Sequence, residues 1–321
     1  MAVYTELSHS EIGDFLSAYD LPGLKAADGI VSGVENTNYL ITLDNGGKLI
    51  LTLFEKRVDE QDLPFFAGLM EHVAGKGVPV PMPLRARDGR AIRQLKGRPA
   101  LITAFLLGKS ASAINTSHAA ELGTFMARLH LAGKDYDKTR ANSLSIQGWK
   151  EIAAKVMNRA DEISPRLADE LHEEMSAIEA QWPHDLPRGI IHADLFPDNV
   201  FFDPGERLTG MIDFYFSCDD FLAYDIAICI NAWCFEKDMQ FNVTKARHLL
   251  SSYNAVRRLS EAELNALPVL ARGAALRFLL TRTHDWIFRS EGALVKPKDP
   301  MEYFKKLQFH RGVKHHREYG L

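Results

Sequence analysis

Alternation of apolar and polar residues marks the N-terminal third of the chain as rich in β-strands. Strand-like runs occupy, in order, residues 39–43, 49–54, 91–93 and 100–105. The first two runs are separated by Asp-Asn-Gly-Gly, whose residues tolerate positive φ, so this pair is predicted to form a hairpin. A helix is predicted at residues 8–19, where Ser8 and Glu11 have capping-box spacing, and another at residues 65–74. Residues 1–107 are therefore predicted to form a small antiparallel sheet that carries one internal helix.

Beyond residue 108 the apolar residues recur at helical rather than strand spacing. Long helices are predicted at residues 118–131, 149–163 and 165–181. A second group of β-type runs extends from residue 189 to residue 214, and the chain is mostly helical again from residue 225. The pattern predicts an α+β protein with two domains, residues 1–107 and 108–321, whose boundary is a change of structure type.

Composition and charge narrow the class of protein. Of the 321 residues, 46% are hydrophobic and 25% are charged, which provides a sizeable core and excludes a disordered chain. A net charge of −4 argues against nucleic-acid binding and against a polybasic membrane anchor. The three cysteines form no CxxC pair, and the N-terminus carries no signal-peptide pattern. We therefore expect a cytoplasmic protein without a disulfide framework or a structural zinc site.

The residues that indicate chemistry lie between positions 190 and 214. A short apolar strand leads into a loop that begins with His192 and Asp194 and ends with Asn199. A hairpin about a Pro-Gly pair follows, and Asp213 lies at its exit. Asp194 and Asn199 are five residues apart, and Asp213 is fourteen residues further on. Phosphoryl transfer needs such a set, because one carboxylate orients the acceptor hydroxyl while oxygen ligands hold Mg²⁺ against the phosphates.

Turn-forming Asp and Asn residues are common after strands, and an Asp-x4-Asn spacing alone would favour that structural interpretation. The apolar strand before the loop, the hairpin after it and the second aspartate in Ile-Asp-Phe favour catalysis instead. This stretch resembles the aminoglycoside phosphotransferase and choline kinase superfamily, which shares the protein-kinase fold. Gly77-Val-Pro-Val-Pro81, Leu122-Gly123 with Leu129-His130, and residues 220–227 extend the resemblance from about residue 25 to about residue 285.

The resemblance implies a bilobal protein-kinase-like fold. A small N-terminal lobe with an antiparallel sheet and one helix would bind the nucleotide. A larger, mainly helical C-terminal lobe would provide catalysis and substrate binding. ATP, as co-substrate, and Mg²⁺ are expected between the two lobes.

Residue roles are implied by the same resemblance. Asp194 would accept the proton of the substrate hydroxyl, Asn199 and Asp213 would hold Mg²⁺, and His192 would support the loop. The implied nucleotide-binding residues are Ser32, Gly33, Asn36 and Thr37, in a loop at residues 32–38 that covers the phosphates, and Ala104 and Leu106, whose backbone would meet adenine.

One position departs from the kinase pattern. The strand lysine that normally contacts the α- and β-phosphates is matched here by Thr52. Lys48 and Lys56 flank that strand, and both remain candidates for the missing contact. The departure favours a nucleotide-binding protein without catalysis, whereas the complete set of Asp194, Asn199 and Asp213 favours an enzyme.

Within the superfamily, residues 33–39, 51–55, 224–236 and 277–286 resemble the bacterial homoserine kinases. That resemblance implies transfer of the γ-phosphoryl group of ATP to the hydroxyl of L-homoserine, which gives O-phospho-L-homoserine for threonine biosynthesis. Arg277 and Arg282 are then candidates to bind the substrate carboxylate. Asp285, Glu236 and Asp219 are candidates to bind its ammonium group. The alternative acceptors are an aminoglycoside, choline, a methylthio-sugar or a hydroxylated amine. The two arginines favour an acceptor that carries a carboxylate.

Overall fold

The computed structural model describes residues 4–30, 36–55, 58–289 and 297–321. The chain divides into two compact units. The smaller unit consists of Met1–Gly108 and Thr209–Tyr215, and the larger unit of Lys109–Leu208 and Phe216–Leu321. A short segment far along the chain therefore belongs with the N-terminal unit.

The smaller unit is built on an antiparallel five-stranded sheet with the strand order β1-β2-β3-β5-β4. Its strands are β1 (Leu24–Ile30), β2 (Asn36–Leu43), β3 (Lys48–Phe54), β4 (Ile92–Leu95) and β5 (Arg98–Ala104). Two helices accompany the sheet, α1 (His9–Leu16) and α2 (Leu63–Ala74). The predicted hairpin, the two helices and the Ser8–Glu11 capping box are confirmed.

The β2–β3 hairpin explains how this sheet is held together. Gly46 in its turn has a φ of 83°, which glycine adopts without strain. Tyr39 lies opposite Leu51, and Ile41 lies opposite Leu49, and all four side chains are buried. Helix α1 packs its apolar residues onto this cluster. Alternation along the strands thus produces the core of the unit.

The larger unit is mainly helical. Its helices are α3 (Thr116–Ala132), α4 (Ile146–Val156), α5 (Leu167–Glu179), α6 (Leu222–Trp233), α7 (Val243–Val256), α8 (Glu261–Ile287) and α9 (Pro300–Gly312). The remaining strands are β6 (Arg188–Ile191), β7 (Val200–Phe202), β8 (Leu208–Met211) and β9 (Cys218–Phe221). Strands β6 and β9 pair antiparallel, and β7 and β8 form a second two-stranded sheet.

The structure differs from the sequence analysis in one predicted helix and in two strands that were not predicted. The helix predicted at 149–163 ends at Val156 and continues as a 3-10 helix from Met157 to Glu162. Strand β1 was not predicted, because its residues are small, polar and half-exposed. Strand β9 was also missed, since it has only four residues and two of them are aspartates.

Helix α8 forms the centre of the larger unit. With 27 residues it is long and apolar enough to cross a bilayer, but 72% of its apolar 18-residue stretch is buried inside the protein. Its capping box, Ser260 with Glu263, begins the helix, and Glu263 is itself buried. Helix α8 is therefore apolar because it is a core helix of the larger unit.

Helices α3 and α7 approach each other closely at Gly123. A Cβ atom at this position would overlap the carbonyl oxygen of Leu249 and lie 3.1 Å from the backbone nitrogen of Tyr253. Both obstacles are helix backbone, which cannot rotate away as a side chain can. The absence of a side chain at 123 is therefore a condition for this packing.

We expect Gly123→Ala to lower the free energy of unfolding by about 2–3 kcal/mol or more, because the two helices must separate to admit the methyl group. The matched control is Gly13→Ala in α1, where nothing lies within 4 Å of the added atom. That variant should gain about 0.5–1 kcal/mol from better helix propensity. Urea unfolding followed by circular dichroism measures both effects, and equal midpoints for the two variants would contradict the packing argument.

Candidate active site

The segment that carries Asp194 begins at a buried strand. Ile190 and Ile191 at the end of β6 are 4% and 0% exposed, and they lead directly into the loop of residues 192–199, hereafter the Asp194 loop. His192 and Ala193 are buried, whereas the side chain of Asp194 is half-buried. The strand thus anchors the loop in the core while leaving one carboxylate partly accessible.

Asp225 of α6 holds the backbone of this loop. Its carboxylate accepts the N–H of His192 and the N–H of Ala193, both at 2.9 Å. Ala193 has a φ of 63°, a left-handed conformation that is uncommon for a residue with a Cβ. Consecutive N–H groups converge on one anion in such a conformation. The buried carboxylate therefore stabilises the turn that precedes Asp194.

A histidine and a tyrosine complete the surroundings of Asp225. The Nε2 atom of His130 lies 3.1 Å from the carboxylate, and its Nδ1 atom lies 2.7 Å from the Tyr253 hydroxyl. Burial acts to raise the pKa of Asp225, but the hydrogen bonds and charges of His130 and His192 outweigh it and lower that pKa. Asp225 is thus ionised and oriented by α3 and α7 as well as by its own helix.

Inside the loop, Asn199 is bonded to Asp194. Its Nδ2 atom donates to the backbone oxygen of Asp194 at 2.8 Å and to the carboxylate Oδ2 at 3.2 Å. The N–H of Asp194 points to Nδ1 of His192 at 3.3 Å, and the indole of Trp233 donates to the carbonyl of Leu195 at 2.7 Å. The loop therefore brings Asp194 and Asn199 together. Both bonds are donated by the amide nitrogen of Asn199, so its amide oxygen takes no part in them.

Asp213 belongs to the smaller unit, where it follows β8. It has a φ of 65°, so it is a second site residue in the left-handed region. Two residues later, Tyr215 packs edge-on against Phe54 and Phe66. Burial raises the pKa of the Tyr215 phenol, and the charge of Asp213 adds to this effect. The segment that carries Asp213 is thus fixed by aromatic packing within its own unit.

The predicted phosphate-covering residues are only partly described. Ser32 and Gly33 lie outside the described residues. The prediction that the loop extends to residue 38 is wrong at its end, because β2 already begins at Asn36 and pairs with β3. Thr37 is buried in that strand and donates to Glu55 at 2.7 Å. Asn36 is 9% exposed, and its buried Oδ1 atom has no hydrogen-bond partner among the described residues.

The position of the usual strand lysine is occupied by a neutral pair. Thr52 is buried, and its hydroxyl donates to Oδ1 of Asn38 at 2.7 Å. Lys48, at the start of β3, has its ammonium 5.6 Å from the ring centre of Phe105. Lys56 lies outside the described residues.

Two residues were predicted to meet adenine through their backbone. The N–H of Ala104, at the end of β5, donates to the carbonyl of Met82 at 2.8 Å. Leu106 follows the strand and is half-buried. Within the part of the chain that the structure describes, the backbone groups of Leu106 make no hydrogen bond.

Three of the candidate substrate residues lie in α8, in different environments. Arg277 is 2% exposed and donates to the carbonyl of Ala193 at 2.7 Å. Arg282 pairs with Glu302 at 2.7 Å. Asp285 lies 3.4 Å from Nδ1 of His284. Of these three, Arg277 contacts the Asp194 loop.

Sequence reasoning missed the residues that hold the loop. Asp225 was noted only as part of a resembling segment, and His130 likewise. The sequence did contain a signal for Asp225, because a carboxylate inside the apolar run of α6 needs buried hydrogen-bond donors. Its partners are more than thirty residues away along the chain, so the sequence pattern does not identify them.

Comparison with known proteins places the chain in a family. The model of the phosphotransferase enzyme family matches residues 27–261. A homoserine kinase of Rhodospirillum rubrum is 56% identical over 321 residues, covering 100% of this chain and 99% of the relative. A homoserine kinase of Paramagnetospirillum magneticum is 55% identical over 326 residues and is covered completely, as is this chain.

Solved structures show the same fold at low sequence identity. An amicoumacin kinase, solved with AMP-PNP and Ca²⁺, is 14% identical with a TM-score of 0.71, and the match covers 96% of this chain and 95% of that one. A spectinomycin phosphotransferase is 12% identical with a TM-score of 0.68 and 98% coverage of each chain. The predicted protein-kinase-like fold is thereby confirmed. The chain belongs to the phosphotransferase enzyme family and, within it, to the group of relatives named homoserine kinase.

Proposed function

We propose that this protein is an ATP-dependent homoserine kinase, which transfers the γ-phosphoryl group of ATP to the side-chain hydroxyl of L-homoserine. The product is O-phospho-L-homoserine, an intermediate of threonine biosynthesis. The observation that carries the choice of acceptor is the identity of more than half of the residues to homoserine kinases over the full chain. The arrangement of the Asp194 loop supports the reaction class, because phosphoryl transfer depends on positioned carboxylate and amide groups.

Asp194 is proposed as the group that orients and deprotonates the acceptor hydroxyl. Its carboxylate is half-buried, and Oδ2 already accepts a hydrogen bond from Asn199. A carboxylate has several acceptor positions, so Asp194 can accept the proton of the substrate hydroxyl in addition to this bond. His192 is a buried residue of the loop, and its Nδ1 atom accepts the N–H of Asp194, so we assign it a supporting role.

Asn199 and Asp213 are proposed as magnesium ligands. The Nδ2 atom of Asn199 is engaged with Asp194, so its Oδ1 atom is the oxygen that it has to offer. Mg²⁺ is bound in kinases by one or two such oxygens together with substrate phosphates, so an amide and a carboxylate fit its chemistry. When bound, it neutralises charge on the phosphate oxygens.

The nucleotide is proposed to use backbone and neutral side-chain groups of the smaller unit. The backbone groups of Leu106, which make no hydrogen bond to the described residues, suit the edge of an adenine ring. Asn36 has a buried amide oxygen without a partner in the described ranges, and Gly33 precedes it in the segment expected to cover the phosphates. Thr52 takes no lysine-like role, since its hydroxyl is already bonded to Asn38.

A cytoplasmic location is part of the proposal. Cys218, Cys229 and Cys234 are all free and buried. Burial raises the pKa of the Cys218 thiol to about 12 and also raises the pKa values of the other two. Free thiols of this kind suit a reducing compartment.

We expect Asp194→Ala to lower kcat for homoserine phosphorylation by about 10³-fold or more, because the hydroxyl loses its proton acceptor and its orientation. The matched control is Asp198→Ala in the same loop, whose exposed carboxylate lies 3.7 Å from Lys298. That variant should keep nearly all activity. ADP release is measured with homoserine and with choline, an aminoglycoside and a methylthio-sugar as alternative acceptors. Turnover of an alternative acceptor but not of homoserine would refute the proposed substrate.

Asn199→Ala should raise the Mg²⁺ concentration for half-maximal activity by about tenfold or more, because one ligand oxygen is removed. A magnesium titration at saturating ATP and homoserine measures this shift, with Asp198→Ala again as the control. An unchanged magnesium dependence, together with a lower kcat, would show that Asn199 acts only through its hydrogen bonds to Asp194.

A further inference from the structure

Among the residues that the structure describes, Arg277 is a buried cation without a counter-ion. Its side chain lies in the middle of α8 and is 2% exposed. Across the part of the chain that the structure describes, no carboxylate forms an ion pair with it, and its Nε atom is buried without a hydrogen-bond partner. Its Nη1 atom donates a hydrogen bond to the carbonyl oxygen of Ala193, at 2.7 Å.

The surroundings of this guanidinium are aromatic. The ring centre of Phe278 lies 4.5 Å from its central carbon, and that of Phe216 lies 6.0 Å away. Tyr224 is also adjacent: burial raises the pKa of its phenol, and the charge of Arg277 opposes that rise. Aromatic faces stabilise a desolvated cation only in part. An apolar side chain would fill the same space at a lower desolvation cost, so packing alone does not account for an arginine here.

The bond from Arg277 reaches a specific peptide group. The carbonyl of Ala193 belongs to the peptide unit that joins Ala193 to Asp194. The preceding N–H groups are held by Asp225 at 2.9 Å. Ala193 is thus held on its N–H side by an anion and on its carbonyl side by a cation, while its φ of 63° lies in a region that L-residues rarely adopt.

We propose that Arg277 is a positioning residue for phosphoryl transfer, which fixes the peptide unit before Asp194 and thereby the direction of the Asp194 carboxylate. This inference rests on the proposed role of Asp194. It is an alternative to the expectation that Arg277 binds the substrate carboxylate, and it is favoured by the bond that Nη1 already makes to the loop. A displacement of about 1 Å at a reacting group costs about 10²-fold in rate, so loss of this bond should act on kcat.

The test separates positioning from substrate binding by using two acceptors. L-Homoserine and 3-aminopropan-1-ol differ by the carboxylate, which the second lacks. We expect Arg277→Met to lower kcat about 10²-fold with both acceptors and to leave the KM for homoserine within about threefold. Arg277→Lys should recover part of the loss, since an ammonium can still donate to the Ala193 carbonyl.

Arg272→Met provides a matched control on the same helix. Arg272 forms two bonds of 2.7 Å with the buried Glu174 and does not contact the loop. Its removal leaves that carboxylate with Arg311 alone, so the thermal midpoint should fall while kcat stays within about twofold of wild type. Arg277→Met should show the opposite pattern, with a large change of kcat and a small change of midpoint.

Two results would overturn the inference. One is a kcat of Arg277→Met within about threefold of wild type. The other is a higher KM for homoserine alone with unchanged kinetics on 3-aminopropan-1-ol, which would identify Arg277 as a carboxylate ligand. If Arg277→Met does not fold, Arg277→Lys is compared with wild type on the same criteria. If wild type phosphorylates neither acceptor, the proposed function fails. The positioning role is then tested by comparing the rates of ATP hydrolysis of wild type and Arg277→Met without an acceptor.

Discussion

The arrangement around Asp194 depends on one buried carboxylate. Asp225 accepts two consecutive N–H groups, from His192 and Ala193, and this convergence requires the left-handed conformation of Ala193. Nearly every residue of α6 is buried, so this acceptor lies on a helix in the core of the larger unit. The backbone that precedes Asp194 is thus held by helices that are remote from it in the chain.

Much of the fold could be predicted because its information is local. The β2–β3 hairpin follows from alternation and from a turn that contains Gly46, and α1 follows from the bonds between Ser8 and Glu11. The elements that escaped prediction lack such local signals. Strand β9 forms only because its four residues, two of them acidic, pair with β6, which lies about thirty residues earlier.

The candidate site shows the same division between local and distant information. Asp194 and Asn199 are five residues apart, so their spacing anticipates the bond between them. The contact from Arg277 to Ala193 spans 84 positions. Charge on a helix suggested a substrate ligand, whereas tertiary packing directs the guanidinium to a backbone carbonyl. A single sequence indicates which residue types a site contains, but it does not identify the tertiary partners of a buried charge.

The three cysteines are distributed unevenly between the two units. Cys218, Cys229 and Cys234 all belong to the larger unit, and none of the residues assigned to the smaller unit is a cysteine. Their thiols are buried with raised pKa values, so an alkylating reagent reaches a thiolate only when the structure around that thiol opens. In the native protein, the rate of thiol modification therefore reports the opening of the larger unit alone, because the smaller unit contains no cysteine.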